Sequence, residues 1–275
     1  LPINEIPSAV QTLSAADLQR QQALDLVDYL NNSFSGINVS GSAGNPFQID
    51  VYYHGFTASP LLGTPEGLSV YVDGVRVNES FGDTVNWDLI PDSAIDSVSL
   101  FSGSNPVFGL NTLGGALSIK TASGRDAPGT QIEAYGGSYD RRSVQGQTGG
   151  TLGPFDYFLD ADYFDEAGWR NIDDSKLLRS FAKFGWQTAT TRLALSYTYA
   201  DNFMWGDGAT PLSMLAYNRE QTYTPDYTRN IMNFVNLTGR QKLGGHLLLS
   251  GNAFYRYLAT VAENGNINDS YLESN

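Results

Sequence analysis

Seven segments in the second half of this 275-residue chain alternate apolar and polar side chains over lengths that suit long β-strands. In 191–199, leucines and tyrosines fill every second position, and Arg, Ala, Ser and Thr fill the positions between them. Successive side chains of a strand point to opposite faces, so each segment predicts one apolar face and one polar face. The segments span about 131–138, 142–152, 156–165, 176–187, 190–201, 228–242 and 246–258.

The connections between these segments alternate in length. Tight turns are predicted at 153–155, 188–190 and 243–245, whereas 166–175 and 202–227 are longer. Short turns at one end and long loops at the other are typical of an outer-membrane β-barrel, whose tilted strands cross the bilayer in about ten residues. The soluble alternative, a β-sandwich or a lipocalin-like barrel, predicts shorter strands and no such asymmetry.

The composition argues against several classes of function. The net charge is −13 and no basic stripe is present, so no nucleic-acid partner is expected. Cysteine is absent, which argues against disulfides, thiol nucleophiles and zinc–thiolate sites. The two histidines, His54 and His246, lie too far apart to suggest a metal cluster, and no cofactor is expected. No apolar run has the length of a membrane-spanning helix, and residues 1–3 do not open a signal peptide.

The first half has a different character. Residues 1–124 contain twelve acidic and three basic residues, a net charge of −9, and a single helix is predicted over 13–32 with Ser14 as its N-cap and Asp17 completing a capping box. Short strands are predicted at 37–41, 49–56, 68–78, 94–101 and 115–121, with Asp73-Gly74 as a type I′ hairpin turn. This pattern predicts a small α+β domain that ends in the turn-rich connector 122–129.

The glycines of 102–121 raise the question of a phosphate site. Gly109 and Gly114 have the spacing of a phosphate loop, but Gly115-Ala116 follows instead of Lys-Ser/Thr, and a strand follows instead of a helix. No G-x-S-x-G sequence occurs, so enzymatic activity is not expected. The predicted role of these glycines is to form tight turns. The turn glycines are Gly74, Gly103, Gly109, Gly114 and Gly115.

Several of these segments together resemble the plug domain of TonB-dependent outer-membrane receptors. The resemblance rests on LSVYVDGVRVN, on IPDSAIDSVSLFSGSNPVFGLNTLGGALSIKT, and upstream on DLVDYLNNSFSGINVS and YYHGF, and it covers about residues 7–121. It implies an α+β plug domain at 1–124, followed at 125–275 by transmembrane antiparallel strands. These would be a partial barrel of about seven strands out of the 22 that the family closes. The chain is therefore interpreted as an N-terminal fragment in which no TonB box is visible.

The resemblance also implies a function. Such a receptor lies in the outer membrane of a Gram-negative bacterium, binds a scarce ligand on its outer face and imports it when the TonB–ExbB–ExbD complex pulls the plug. The expected ligand is an iron–siderophore or a similar metal chelate. The alternatives are a carbohydrate or cobalamin receptor of the same architecture and, from another class, a soluble β-rich binding or adhesion module.

The resemblance places candidate ligand contacts in loops 41–48, 57–66 and 80–87 and in the long loop after 201. Apolar side chains on exposed loop tips often mark a binding site, and most of the candidates are chosen on this ground. The candidates are Asn45, Phe47, Leu61, Leu62, Phe81, Asp83, Trp87, Trp205, Met214 and Tyr217, with Trp205 and Tyr217 equally compatible with an aromatic girdle. Asp160 and Asp162 are expected in the lumen, either paired with plug cations or solvated.

One departure from the family pattern concerns the charged latch between plug and barrel. The family carries arginines on the plug and glutamates on the barrel wall, whereas His54, Ser99 and Ser102 stand at the plug positions here. The plug has only three cations, Arg20, Arg76 and Lys120. Neutral hydrogen bonds are therefore predicted to replace the latch, with His54 as an interior hydrogen-bonding residue or a pH-sensitive lock.

Overall fold

The computed structural model describes residues 9–21, 23–41, 44–208, 210–223, 225–244 and 247–265. We call residues 9–121 the N-terminal region. Its elements are β1 (Val10–Ser14), α1 (Ala15–Gln21), α2 (Leu26–Ser33), β2 (Ile37–Ser40), β3 (Asp50–Tyr53), β4 (Phe56–Ala58), β5 (Leu68–Val72), β6 (Val75–Arg76), β7 (Ile95–Ser102) and β8 (Gly115–Thr121).

The single helix predicted over 13–32 is wrong, because the segment forms a strand and two short helices. Leu13 and Ser14 belong to β1 and pair with β7. Ser14 Oγ accepts the Asp17 backbone N–H at 3.3 Å, which caps α1, and Asp25 Oδ1 accepts the Asp28 N–H at 2.9 Å, which caps α2. Each cap starts its own helix, so the chain turns between them.

Two small sheets build the N-terminal region. The larger has the strand order β1-β7-β8-β5-β6, in which only the β5–β8 pair is parallel. The smaller has the order β2-β3-β4, so the strand predicted at 49–56 is in fact a hairpin that turns at His54 (φ 50°) and Gly55 (φ 85°). The core between these sheets and the helices is apolar and fully buried; it includes Leu30, Val51, Leu68, Val70 and Leu117.

The hairpin between β5 and β6 depends on positive φ at two positions. Asp73 has φ 46° and Gly74 has φ 83°, the values that a type I′ turn requires. We expect Gly74→Val to destabilise the fold by about 1–3 kcal/mol, because a β-branched residue is strained at positive φ. Gly74→Asn is the matched control, since asparagine tolerates this conformation. Thermal unfolding of both variants tests this, and equal melting temperatures would contradict it.

The second half forms one antiparallel sheet of seven strands, which we call the long sheet. Its strands, β9 (Gly129–Gly136), β10 (Arg142–Leu152), β11 (Phe155–Glu166), β12 (Ser175–Gln187), β13 (Thr191–Asp207), β14 (Pro225–Leu243) and β15 (Leu247–Glu263), pair in sequence order. The seven predicted strands are confirmed. β13, β14 and β15 run several residues beyond their predicted ends towards the long-loop side. His246 lies outside the described residues.

Burial alternates along inner strands of the long sheet such as β11 and β12, because one face of these strands packs against the N-terminal region. In β11 every second side chain from Asp156 to Glu166 is buried, and the residues between them are mostly exposed. Within the described part of the chain, no helix is long and apolar enough to span a membrane.

The connector 122–128 lies between the two halves. β8 ends at Thr121 in the five-stranded sheet, and β9 begins at Gly129 in the long sheet. Gly124 packs so closely on the long sheet that an added Cβ would lie 2.1 Å from the Tyr157 carbonyl oxygen and 2.3 Å from that of Gly150. This close approach requires glycine and fixes the connector against the turn end of β10 and β11.

Candidate functional site at the interface of the two halves

A buried arginine of the long sheet contacts the N-terminal region. Arg179, on β12, donates from Nε to Asp162 Oδ1 on β11 at 2.8 Å. Its Nη1 donates to Asp92 Oδ2 and to the Ile90 carbonyl oxygen, both at 2.9 Å. The Arg179 side chain is only 8% exposed. One planar guanidinium therefore joins carboxylates from both halves, a geometry that lysine cannot reproduce.

A lysine makes a second link closer to the short-turn end. Lys183 Nζ donates to Asp73 Oδ2 at 2.9 Å and to Thr121 Oγ1 at 2.7 Å. The Thr121 backbone N–H also donates to Asp73 Oδ1 at 3.0 Å. Asp73 thus forms the turn between β5 and β6 and at the same time contacts the long sheet.

A third link is made by Asp88, a buried carboxylate that forms no ion pair within the described part of the chain. Asp88 is 3% exposed and accepts from Asn202 Nδ2 at 2.9 Å and from Asn230 Nδ2 at 3.2 Å. Burial raises the pKa of Asp88, and the two amide donors oppose that rise. The two asparagines lie on neighbouring strands of the long sheet, so both side-chain amides donate to the same Asp88 carboxylate.

Among the described residues, the ion pairs that join the N-terminal region to the long sheet have one polarity. The acid belongs to the N-terminal region and the cation to the long sheet in Asp73–Lys183, Glu79–Arg256 and Asp92–Arg179. The prediction that neutral hydrogen bonds replace the latch is therefore wrong: a charged network is present, with the sign opposite to the family pattern. The three cations of the N-terminal region pair with other aspartates, so Asp73, Glu79 and Asp92 are neutralised by cations of the long sheet.

The residues at the family latch positions take no part in this network. Ser99 Oγ lies 3.0 Å from Thr12 Oγ1 on β1, and Ser102 donates its backbone N–H to the Ala9 carbonyl oxygen. His54 is exposed in its hairpin turn with its ring against Tyr53, so the interior role predicted for it is wrong. The hairpin turn at 54–55, with positive φ at both residues, places His54 at the surface.

Asp160 and Asp162 face the N-terminal region, but neither pairs with one of its cations and neither is solvated. Asp160 is 5% exposed and accepts from Ser93 Oγ at 2.8 Å, while Asp162 binds Arg179. Both alternatives foreseen for these residues are therefore wrong. The reason is that the long sheet supplies its own arginine to neutralise Asp162.

The N-cap of α2 gives the fold a pH dependence of known sign. Burial, and then the nearby charge of Asp92, raises the pKa of Asp25 to about 7. The folded state holds this proton while the unfolded chain has already lost it, so the contribution of Asp25 to stability falls as the pH rises from about 4 to about 7. We expect Asp25→Asn, which can still cap the helix, to remove this loss.

Melting temperatures at pH 5 and pH 8 test this expectation. The wild type should lose stability relative to Asp25→Asn between the two values. Asp17→Asn is the control, because its hydrogen bonds to Ser14 lower the pKa of Asp17 and place its titration outside this range. A constant difference between Asp25→Asn and the wild type would contradict the assignment.

Three candidate ligand residues are buried, which corrects their predicted place on exposed loop tips. Asn45 is 1% exposed and donates from Nδ2 to Ser175 Oγ at 2.8 Å. Phe47 is 2% exposed and meets the Phe164 ring edge to face at 4.9 Å. Trp87 is also 2% exposed. These loop residues are covered because they pack against the long sheet. Such a contact joins residues far apart in the chain, so no local sequence pattern shows it.

The other candidates lie near the surface. Leu62, Phe81 and Tyr217 are 63%, 78% and 92% exposed, and Leu61 and Met214 are half-buried. Asp83 pairs with Arg76 at 2.8 Å. Trp205 packs with Phe203 and Tyr227 in an aromatic cluster on the face of the long sheet that points away from the N-terminal region. That position favours the girdle interpretation of Trp205.

Sequence reasoning missed exposed apolar residues in the loop between β7 and β8. Val107 and Leu110 are 87% and 89% exposed, and Leu113 is 59% exposed. The loop was interpreted only through its glycines, of which Gly103 and Gly109 have φ 82° and 77°. Asn111 donates to Asp83, so this loop adjoins the one that carries Phe81. The apolar residues between these glycines were the sequence signal that could have identified this loop as an exposed apolar surface.

A polar cavity of about 450 Å³ separates the two short helices from β9 and β10. Leu18 and Tyr29 line it on the helix side, and Glu133 and Gln145 line it on the long sheet, where they hydrogen-bond to each other at 3.1 Å. The Arg179 network borders the same space. The two halves therefore meet through polar contacts and an open gap here rather than through a continuous apolar core.

Comparison with known proteins matches this architecture. Residues 2–116 match the sequence model of the TonB-dependent Receptor Plug Domain family. The chain is 26% identical over 172 residues to the vitamin B12 transporter BtuB of Photobacterium profundum, covering 62% of this chain and 25% of that protein. It is 28% identical over 134 residues to the ferric aerobactin receptor of Klebsiella pneumoniae, covering 48% of this chain and 17% of that one.

A solved structure shows the same fold. The ferric yersiniabactin uptake receptor FyuA from Yersinia pestis superposes with a TM-score of 0.73 at 14% sequence identity, covering 93% of this chain and 41% of that one. The chain spans about a quarter, or less, of the length of the curated relatives it matches.

Proposed function

We infer that this chain, which carries the plug domain of the TonB-dependent receptors and shares their fold, is part of an outer-membrane importer of a scarce small molecule. The supporting observation is the interface itself. Charged and amide contacts join the plug to the long sheet, and a cavity of about 450 Å³ opens between them. Apolar clusters also cross this interface, among them the one that joins Phe47 to Phe164, Leu177 and Met204. Buried ion pairs add little net stability compared with apolar packing, so the polar part of the interface favours release of the plug.

We propose that residues 1–124 are the plug and residues 125–275 are the first part of the barrel wall. In this arrangement the outward face of the long sheet meets lipid, the long loops face outside and the tight turns face the periplasm. Exposed leucines and tyrosines at every second position of β11 and β13 support this orientation; they include Tyr157, Leu159, Tyr163, Leu193, Leu195 and Tyr197.

The energy source that we propose is the TonB–ExbB–ExbD complex, acting on the N-terminal end of the plug. β1 lies at an edge of its sheet and pairs only with β7 among the described strands. Such a strand can be pulled away while the other strand pairs persist, because only one ladder of hydrogen bonds has to break. Its neighbour α1 borders the cavity, so this movement would widen the gap.

The proposed ligand is a ferric chelate, and cobalamin is the second candidate. The relative named as a ferric aerobactin receptor supports the first, and the relative named as a vitamin B12 transporter supports the second. The candidate contacts that remain at the surface are Leu61, Leu62, Phe81, Asp83, Met214 and Tyr217. Exposed apolar and aromatic side chains suit contact with a bulky chelate better than with a hydrated ion.

Uptake by cells that carry the intact protein tests the function. We expect cells with the gene to accumulate one radiolabelled ferric chelate or radiolabelled cobalamin, and cells without it to fail. Dissipating the proton gradient should abolish accumulation while leaving surface binding. Cell fractionation tests the remaining alternative, a soluble β-rich binding or adhesion module, because such a module would be absent from the membrane fraction. No accumulation of any chelate, cobalamin or carbohydrate by outer-membrane-located protein would contradict an import function.

A further inference from the structure

Two arginines face each other near the short-turn end of the long sheet, on the face that packs against the plug, which we call the inner face. Arg192 on β13 lies directly opposite Arg240 on β14. Both share this face with the buried Ser196 and Asn236, because residues an even number of positions apart on a strand point the same way. Like charges directly opposite each other destabilise a sheet, so this pair costs stability unless an anion neutralises it.

The pair lies beyond the contacts that seat the plug. Lys183, which binds Asp73 of the plug at 2.9 Å, is in register with Ser196. Arg192 is four residues nearer the tight turn than Ser196, which is about 13 Å along the strand at about 3.4 Å per residue. Arg192 and Arg240 are both exposed. They therefore border the space between the plug and the rim formed by the tight turns.

A hollow of about 200 Å³ opens beside the two arginines, and we call it the basic hollow. Lys242, two residues beyond Arg240 on the same face of β14, adds a third cation to its lining. Thr188 and Thr190 of the tight turn add hydroxyl groups. The described lining contains no acidic residue, so the hollow offers donors of hydrogen bonds to an anion.

The three cations of the basic hollow form no ion pair within the part of the chain that the structure describes. Asp126 of the connector interacts electrostatically with Arg192, but its carboxylate already accepts from Lys120 at 3.4 Å and from Ser123 at 2.7 Å. Each of the other cations on the inner face of the described strands pairs with an acid of the plug; they are Arg179, Lys183 and Arg256. Unpaired positive charge on this face is therefore concentrated at the short-turn end, in a protein whose net charge is −13.

We propose that the basic hollow binds the carboxylate groups of an anionic chelate as the chelate leaves the lumen past the tight turns. Arg192 and Arg240 can each hold a carboxylate through two parallel N–H donors, and Lys242 adds a third positive charge. Such a cluster also raises the local concentration of an anion at the exit. The inference rests on the proposed import function, and within that function it favours an anionic ferric chelate over cobalamin.

A fluorescent reporter at the rim of the intact, detergent-purified protein tests the site. An environment-sensitive dye on Thr190→Cys lies at the edge of the basic hollow, and protein without this cysteine gives the background signal. The probes are citrate, the uncharged triamide of citrate, and a hexaglutamate peptide. The variants in the labelled protein are Arg192→Gln, Arg192→Gln/Arg240→Gln and the control Arg142→Gln, which removes an exposed arginine at the long-loop end of β10.

We expect a saturable response to citrate and none to its triamide. Each arginine removed from the basic hollow should weaken citrate binding about fivefold, the upper range for an exposed ion pair, and Arg142→Gln should leave it unchanged. Added salt should weaken the binding as well, because the hollow is open to solvent.

Any of five results would overturn the proposal. These are no saturable response to citrate, equal binding by the labelled parent and the double variant, equal loss in Arg142→Gln, equal binding of the triamide, or tighter binding of hexaglutamate, which would assign the hollow to an acidic protein partner. Melting temperatures show that each variant is folded. Cellular uptake is scored separately: absence of import refutes the proposed function, whereas import together with variant-insensitive citrate binding refutes only the basic hollow.

Discussion

Arg179→Met is expected to destabilise the seated plug by about 3–5 kcal/mol. The substitution removes the guanidinium that bridges Asp162 and Asp92, and so leaves two carboxylates uncompensated at the interface. Arg179→Lys should recover only part of the loss, because an ammonium cannot span both partners and the Ile90 carbonyl. Hydrogen–deuterium exchange of the plug amides in 68–77 measures the free energy of opening.

An exposed pair of the same chemistry provides the control. Arg20 lies 2.5 Å from Asp17 with its side chain 74% exposed, and such pairs contribute about 0–1 kcal/mol. Arg20→Met should therefore leave exchange in 68–77 nearly unchanged. An Arg179→Met variant with wild-type exchange would show that the bridge does not hold the plug.

Phe47→Ala should also destabilise the seated plug by about 3–5 kcal/mol. Phe47 packs with Phe164, Leu177 and Met204 of the long sheet in a cluster that is at least 96% buried, so truncation leaves a cavity that the wall cannot fill. The expected result is faster hydrogen–deuterium exchange of the plug amides, because the plug is held less tightly against the long sheet.

Phe81→Ala is the matched control for this prediction. Phe81 is 78% exposed, so its truncation should change stability by less than about 0.5 kcal/mol. If Phe81 contacts the ligand, the same variant should lose affinity for it. Equal stability of the Phe47 and Phe81 variants would contradict the structural role of Phe47.

The long strands were predictable because their signal is local. Alternation in β11 sets Tyr157, Leu159 and Tyr163 against Asp160 and Asp162, and the structure places the two sets on opposite faces. The plug was predictable because a long ordered motif, which runs through the glycines into β8, covers about residues 7–121. Helix boundaries were less accurate: two capping residues, Ser14 and Asp25, each began a helix within a segment interpreted as one.

The interface was not predictable, because it joins residues far apart in the chain. Asp73 reaches Lys183 across 110 positions, and Asp88 reaches Asn230 across 142. The net charge of −9 on residues 1–124 was the one available hint that cations on the barrel wall would complement the plug. Phe47 and Trp87 were misplaced for the same reason, since only the folded wall shows that their loops are covered.

Locking the plug to the wall tests the central claim, that import requires this interface to open. Ser93 on the plug hydrogen-bonds to Asp160 on β11 at 2.8 Å, and these 275 residues contain no cysteine, so Ser93→Cys/Asp160→Cys places two new thiols on facing elements for oxidation to a reversible disulfide. Each single substitution serves as a control. The measurement is energy-dependent uptake of the ligand identified in the cellular assay, before and after reduction. We predict that the oxidised double variant binds the ligand without importing it and that reduction restores import. Import at the same rate in the oxidised and reduced states would contradict the account.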